Sequence, residues 1–142
     1  MSANAFLDTN VLVYSIDNVD LTKKKIAQSL IEDGSQSGTV CISWQVIQEF
    51  LNVATHKAKL RLSLDQTRRH LTVLLLPLCT VWPSRTIFER ALEIQTKHKL
   101  HWYDALIVSG AIEAGCKTLY SEDLQTGAKF GDLKVVNPFA RA

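Results

Sequence analysis

Four carboxylates stand far apart in the sequence, each beside a short apolar run. Asp8 closes Ala5-Phe6-Leu7-Asp8-Thr9-Asn10, and Glu49 lies in Ser43-Trp44-Gln45-Val46-Ile47-Gln48-Glu49-Phe50. Asp104 lies in Trp102-Tyr103-Asp104-Ala105-Leu106-Ile107, and Asp123 follows Leu119-Tyr120-Ser121-Glu122. An ionised carboxylate among apolar residues is costly unless something pairs with it. Two carboxylates about 4 Å apart repel by roughly 4 kcal/mol at an effective dielectric near 20. Bringing three or four together would raise their pKa values or open that edge of the fold. A divalent cation removes the cost. The motifs offer oxygen donors and no His or Cys, which favours hard Mg²⁺ or Mn²⁺ over zinc. Such an ion keeps waters, one of which can serve as a nucleophile, and it stabilises charge on a phosphate.

Each acid has a plainer reading. Asp8 and Asp104 have the residue type of helix N-caps, Glu49 could face solvent on its helix, and Glu122 and Asp123 could be loop acids. Together the four placements favour a shared cation site. Other candidates carry less. His98 and His101 flank Lys99 near Asp104 and could meet a phosphate, although a solvated helix end explains them. His56 and His70 sit in basic, surface-like contexts. Ser43 has no His partner for nucleophilic chemistry and reads as an N-cap. Neither a Gly-x-x-x-x-Gly-Lys loop nor a G-x-G-x-x-G turn after the first strand is present. The basic groups Lys23 to Lys25, Lys57, Lys59, Arg61, Arg68 and Arg69 read as solvated helical faces. Bordering the acids, they could hold a nucleic-acid backbone by charge.

The elements that must carry these acids follow from the apolar spacing. Strands are expected at Ala3 to Leu7, Thr39 to Ile42, Cys79 to Trp82, Lys117 to Tyr120 and Lys134 to Val136. A helix opens over Val11 to Ile16. The next spans Leu21 to Ile31, capped by Asp20 and stopped by Gly34, before a loop at Ser35 to Gly38. Ser43 caps a helix through Lys57. Ser63-Leu64-Asp65-Gln66 forms a capping box for a helix to about Leu76. Ile87, Ala91, Leu92 and Ile94 mark a helix to about His98. Tyr103 to Ala114 forms another, ended by Gly115. Short strands alternating with helices imply βαβ units and a mainly parallel, five-stranded sheet covered on both faces. Ligands of such sheets sit beyond the carboxyl ends of the strands, where all four acids can meet.

A chain of 142 residues suggests a single domain, residues 1–142, able to bury a core without staples. The net charge of +2 permits a polyanionic substrate without requiring one. Cys41, Cys79 and Cys116 are odd in number and lack a C-x-x-C spacing, so they read as buried free thiols in a reducing compartment. The opening residues lack a basic stretch and a long apolar one, so no secretory leader is expected. The longest apolar run, Val73 to Leu78, is broken by Pro77 and too short to span a membrane. A cytoplasmic protein is therefore expected.

The motifs resemble those of the PIN-domain nucleases. Asp8-Thr9-Asn10-Val11-Leu12-Val13-Tyr14 is similar to their opening motif, Ser43-x-Gln45-Val46-x-Gln48-Glu49-Phe50 to the second, and Asp104-Ala105-Leu106-Ile107 to the third. Ser121-Glu122-Asp123-Leu124-Gln125-x-Gly127 resembles the fourth region as it occurs in VapC-type toxins. The match runs from about residue 5 to residue 137. It implies a three-layer α/β/α PIN-like fold and Mg²⁺- or Mn²⁺-dependent endoribonuclease activity. By motif, Asp8, Glu49 and Asp104 would bind the metal and Asp123 would complete the set, with Glu122 an alternative for that fourth role. It also implies an RNA substrate, a small antitoxin partner and a homodimer. Gly110 departs from the Ala that many relatives carry there. Two other readings remain: a PIN-type domain that binds RNA or protein without cutting, and a metal-dependent phosphohydrolase of small phosphate esters, which the missing D-x-D-x-T motif disfavours.

Overall fold

The computed structural model describes residues 3–56 and 61–140. The strands are β1 (Ala5–Leu7), β2 (Val40–Ser43), β3 (Cys79–Val81), β4 (Thr118–Tyr120), β5 (Lys129–Phe130) and β6 (Leu133–Val136). They form one sheet of six in the order β3-β2-β1-β4-β6-β5. All neighbours pair in parallel except β5 and β6. The sheet is mainly parallel, as expected, and gains a sixth strand. That strand, β5, has only two residues, too few for any alternation to show.

The helices are α1 (Thr9–Tyr14), α2 (Leu21–Ser37), α3 (Trp44–His56), α4 (Leu64–Arg69), α5 (Leu76–Leu78), α6 (Arg85–His98) and α7 (Trp102–Glu113). A π-helical turn, His70–Leu75, joins α4 to α5. Side chains alternate between the two faces of a strand, so Val40 and Ser43, three positions apart on β2, point opposite ways. Gly34 of α2 lies against Val40 and Gly110 of α7 lies against Ser43, which places the two helices on opposite faces. Helix, sheet and helix therefore form three layers. Phe6, Cys41, Leu119 and Val135, one from each of four strands, are fully buried between them.

Several expected boundaries move for identifiable reasons. Gly34 does not stop α2. The helix runs on through Ser37, so the loop expected at Ser35 to Gly38 is helical up to its last residue. Gly34 is needed for closeness: a Cβ there would lie 2.4 Å from Val40 Cγ1. The stop is Gly38, at φ 69°, whose N–H donates to the Gly34 carbonyl. Ser43 ends β2 rather than capping α3. Its hydroxyl is buried at the α7 contact and makes no hydrogen bond among the described residues. The helix expected to end near Leu76 continues to Leu78, widening into the π turn just before Pro77. Proline cannot donate to the carbonyl four residues back, and the wider winding relieves its clash there. Asp20 and the Ser63–Gln66 capping box behave as expected. Lys57 and Lys59 lie outside the described residues. Cys41 and Cys116 are buried free thiols with their sulfurs 3.5 Å apart, whereas Cys79 is only half-buried. No helix among the described residues is long and apolar enough to cross a membrane.

Gly34 and Gly110 should respond oppositely to alanine. Val40 is β-branched and stiff, so Gly34→Ala should cost about 1–3 kcal/mol through overpacking, outweighing its gain in helix propensity. At Gly110 a Cβ would meet Ser43 Cβ at an ordinary 3.6 Å. Gly110→Ala should therefore gain up to about 1 kcal/mol. Urea denaturation of both variants reads this directly, and shifts of the same sign would contradict the packing described.

Candidate metal centre

The register of β1 and β4 builds the site. Leu7 pairs with Tyr120, so the residues that follow, Asp8 and Ser121, leave the sheet side by side. The Asp8 N–H still donates to the Tyr120 carbonyl at 3.0 Å. Asp8 then caps α1, with Oδ1 accepting from the Thr9 N–H at 2.7 Å. Its Oδ2 accepts the Ser121 hydroxyl at 2.7 Å and the Asn10 side-chain amide at 3.5 Å. The Ser121 hydroxyl accepts in turn from the Asp123 and Leu124 N–H groups, at 3.2 and 3.3 Å. One serine thus fixes both the buried acid and the turn that carries Asp123.

Asn10 links the two acids. Its Nδ2 donates to Asp123 Oδ2 at 3.2 Å as well as to Asp8, and its Oδ1 accepts the Glu122 N–H at 3.2 Å. Glu49 arrives on α3, directly after β2, and its Oε1 accepts the Thr9 hydroxyl at 2.5 Å. Gln45, one turn earlier, donates to Glu49 Oε2 at 3.3 Å and to the Tyr103 carbonyl at 2.9 Å. That second bond ties α3 to the start of α7. Because α7 leads back into parallel strand β4, its N-terminus lies at the same edge as the strand ends. Asp104 sits in its first turn, where a helix favours negative charge. Asp8, Glu49, Asp104, Asp123 and Glu122 all line one open cleft of about 500 Å³.

The electrostatics of the cleft are one-sided. Among the described residues that line it there is no Lys or Arg. Asp8 is 5% exposed. Burial drives its pKa from 3.8 to about 7, with Asp123 and Glu49 adding repulsion and the Ser121 and Thr9 hydrogen bonds only partly opposing it. Asp104 is also raised, first by burial and then by Asp123, against the pull of His101. Glu122 differs. Partial burial works against its charge, but the Lys23 ammonium and the Tyr14 hydroxyl prevail and hold it below the ordinary range. Its Oε2 bonds Lys23 Nζ at 2.5 Å and its Oε1 accepts from Tyr14 at 2.6 Å.

The donor set suits a hard divalent ion: carboxylate oxygens, of which only those of Glu122 bond a side-chain ammonium among the described residues, with one acid destabilised by its own charge. Among the described residues no three Asp, Glu, His or Cys side chains are closed to metal-coordination spacing. Mg²⁺ does not require that, because it keeps several waters and takes one or two carboxylates directly.

The cleft gathers the four acids that sequence reasoning brought forward, with Glu122 beside them, and adds Asp17, which the sequence did not single out. Sequence reasoning missed Asn10, Ser121 and Gln45 as hydrogen-bond partners of the acids. The one available signal was a polar residue inside an otherwise apolar motif. Lys23, read as part of a solvated face, is instead held by Glu122. His56, His70 and His98 do not line the cleft. His70 stacks on Phe50 with ring centroids 5.8 Å apart, and His98 packs edge-on to Phe130 at 4.7 Å.

The sequence matches the family model described as the PIN domain over residues 5–127. The fold is similar to a toxin–antitoxin complex from Klebsiella pneumoniae, with a TM-score of 0.67, 22% identity and coverage of 95% of this chain and 98% of the other. It is similar to VapBC2 from Rickettsia felis bound to a promoter DNA fragment, with a TM-score of 0.64, 21% identity and coverage of 94% and 97%. It is also similar to Mycobacterium tuberculosis VapC20, described as a sarcin-ricin loop cleaving toxin, with a TM-score of 0.62, 16% identity and coverage of 84% and 90%. The comparison with curated proteins gives no match.

A raised carboxyl pKa makes stability depend on pH. The folded state holds a proton on Asp8 that the unfolded chain releases above 3.8, so this contribution is full below that value and is lost as pH rises to about 7. A shift of this size corresponds to about 4 kcal/mol. Thermal melts in chelator should show stability falling through this group from about pH 4 to about pH 7 and levelling above it. Asp8→Asn should flatten that slope and melt above the wild type at the alkaline end. A melting profile unchanged by the substitution would contradict the burial cost assigned to Asp8.

Proposed function

Because the chain belongs to the PIN domain family, we propose that it is a divalent-metal-dependent endoribonuclease and the toxin of a toxin–antitoxin pair. The observation that carries this reading is the cleft itself: six carboxylates, Asp8, Asp17, Glu49, Asp104, Glu122 and Asp123, with no Lys or Arg among the described residues that line it. A polyanion cannot approach such a surface unaided, so the site requires a mobile cation to admit a phosphodiester.

Asp8, Glu49, Asp104 and Asp123 would hold Mg²⁺ or Mn²⁺. Such an ion, when bound, supplies an activated water and stabilises charge on the phosphate. The chain's own residues set the stage for that chemistry. Asp8, the most enclosed, gains most from a positive neighbour and anchors the site's floor. Thr9, Ser121 and Asn10 donate to Asp8, Glu49 and Asp123, fixing which oxygen lone pairs remain open to the cleft. Gln45 keeps Glu49 aligned with the first turn of α7, where Asp104 begins. Asp123 is exposed and would be the acid most open to an approaching phosphodiester.

An antitoxin and a second copy of the chain are the proposed protein partners. Large apolar side chains left in solvent support such partners, among them Val19, Leu21 and Val73 beside α2 and the π turn, and Trp82, Phe88 and Leu92 around α6. The similarity to solved structures described as toxin–antitoxin complexes supports the first.

The test is incubation of purified, antitoxin-free protein with total RNA and Mg²⁺ or Mn²⁺. Discrete fragments should form only with the metal, and Asp8→Asn and Asp104→Asn should each lose about 100-fold or more in rate. Retained metal-dependent cleavage by those variants would remove the site assignment. Tight RNA binding without cleavage would favour a binding-only PIN domain, and phosphate release from a simple ester would favour a phosphohydrolase.

A further inference from the structure

Glu122 and Asp123 are adjacent in sequence yet differ in surroundings. Asp123 reaches into the cleft toward Asp8 through Asn10. Both oxygens of Glu122 are already occupied, by Lys23 of α2 and by Tyr14 at the end of α1. Lys23 Nζ also donates to the Tyr14 hydroxyl at 3.3 Å and lies 4.8 Å from the centre of the Tyr14 ring. Tyr14 is braced in turn by an edge contact with Phe139 at 4.9 Å. The backbone N–H of Glu122 holds Asn10 Oδ1, which orients the Asn10 amide between the two acids.

We propose that Glu122 is a positioning residue rather than a cation ligand: Lys23 and Tyr14 lock it, and the locked turn holds Asp123 and Asn10 in place against Asp8. The inference rests on the reading of the cleft as a cation site. It assigns α2, an element with no acid of its own in the site, a part in building it. Without Lys23, a half-buried carboxylate would lie beside other carboxylates with no balancing charge, and the turn would shift to expose it. Partners of this kind around metal ligands typically change metal affinity by 10- to 100-fold when removed.

The experiment compares Lys23→Met, Glu122→Ala and the double variant with the wild type in the full chain. It measures Mn²⁺ affinity by titration calorimetry, amide hydrogen exchange at residues 121–124 in the metal-free protein, and the urea midpoint. Both single variants should lose Mn²⁺ affinity by about 10-fold or more, and the double variant should lose little beyond either, since the pair acts as a unit. Exchange at Asp123 and Leu124 should quicken, and Lys23→Arg should restore both properties. A ligand role for Glu122 gives the opposite sign: Lys23→Met would free that carboxylate and tighten Mn²⁺ binding, which overturns the proposal. Unchanged affinity and exchange with only a lower urea midpoint would also overturn it, as a purely structural ion pair. A wild type that binds no Mn²⁺ would remove the metal-nuclease reading instead, and the exchange comparison alone would then decide whether Lys23 holds the turn.

Discussion

A carboxylate enclosed at the end of a parallel strand must be hydrogen-bonded, protonated or matched by a cation, and among the described residues Asp8 has only neutral donors to satisfy it. The Thr9 N–H, the Ser121 hydroxyl and the Asn10 amide orient its oxygens, yet they leave its pKa near neutrality. An asparagine or an apolar residue there would be easier to bury. A fold that keeps the acid accepts lower stability at one edge of its sheet, a pattern expected where function and stability compete. The rest of the site is arranged around that charge.

The arrangement is rigid because its parts come from regular elements. β1 and β4 end in register, β2 delivers α3, and α7 returns toward β4 with its first turn at the same edge. Neutral side chains then set the spacing: Asn10 between Asp8 and Asp123, and Gln45 between Glu49 and α7. They hold the acids near one another without bonding them together, so each keeps lone pairs that a cation and its waters could take. The Gln45 side-chain oxygen, buried without a partner among the described residues, shows how fully that residue's donor end has been committed to the task.

The acids were legible in the sequence because each interrupts an apolar run, and such an interruption carries a cost that something must offset. Strand-and-helix alternation was legible for a related reason: the runs that must be buried are the ones that show periodicity. What supports the acids was not legible. Asn10 meets Glu122 and Asp123, Ser121 meets Asp8, and Lys23 meets Glu122, all across more than ninety residues of sequence. Only the register of β1 against β4 and the crossing of α2 bring them together. Gly34 misled for a similar reason. In a one-dimensional reading a glycine late in a helix is a stop, but its actual role depends on Val40, a residue on the facing strand. The two-residue β5 and the π turn before Pro77 fall below the length at which a period can be seen.

Anomalous scattering from crystals grown with Mn²⁺ tests most directly whether these carboxylates form a cation site. A peak should lie inside the cleft, at about 2.0–2.2 Å from an oxygen of Asp8 or its neighbouring acids and with waters completing the shell. Glu122 should stay on Lys23. A cleft without a peak at millimolar Mn²⁺, in crystals whose Asp8 and Asp123 side chains are well ordered, would contradict the cation-site assignment.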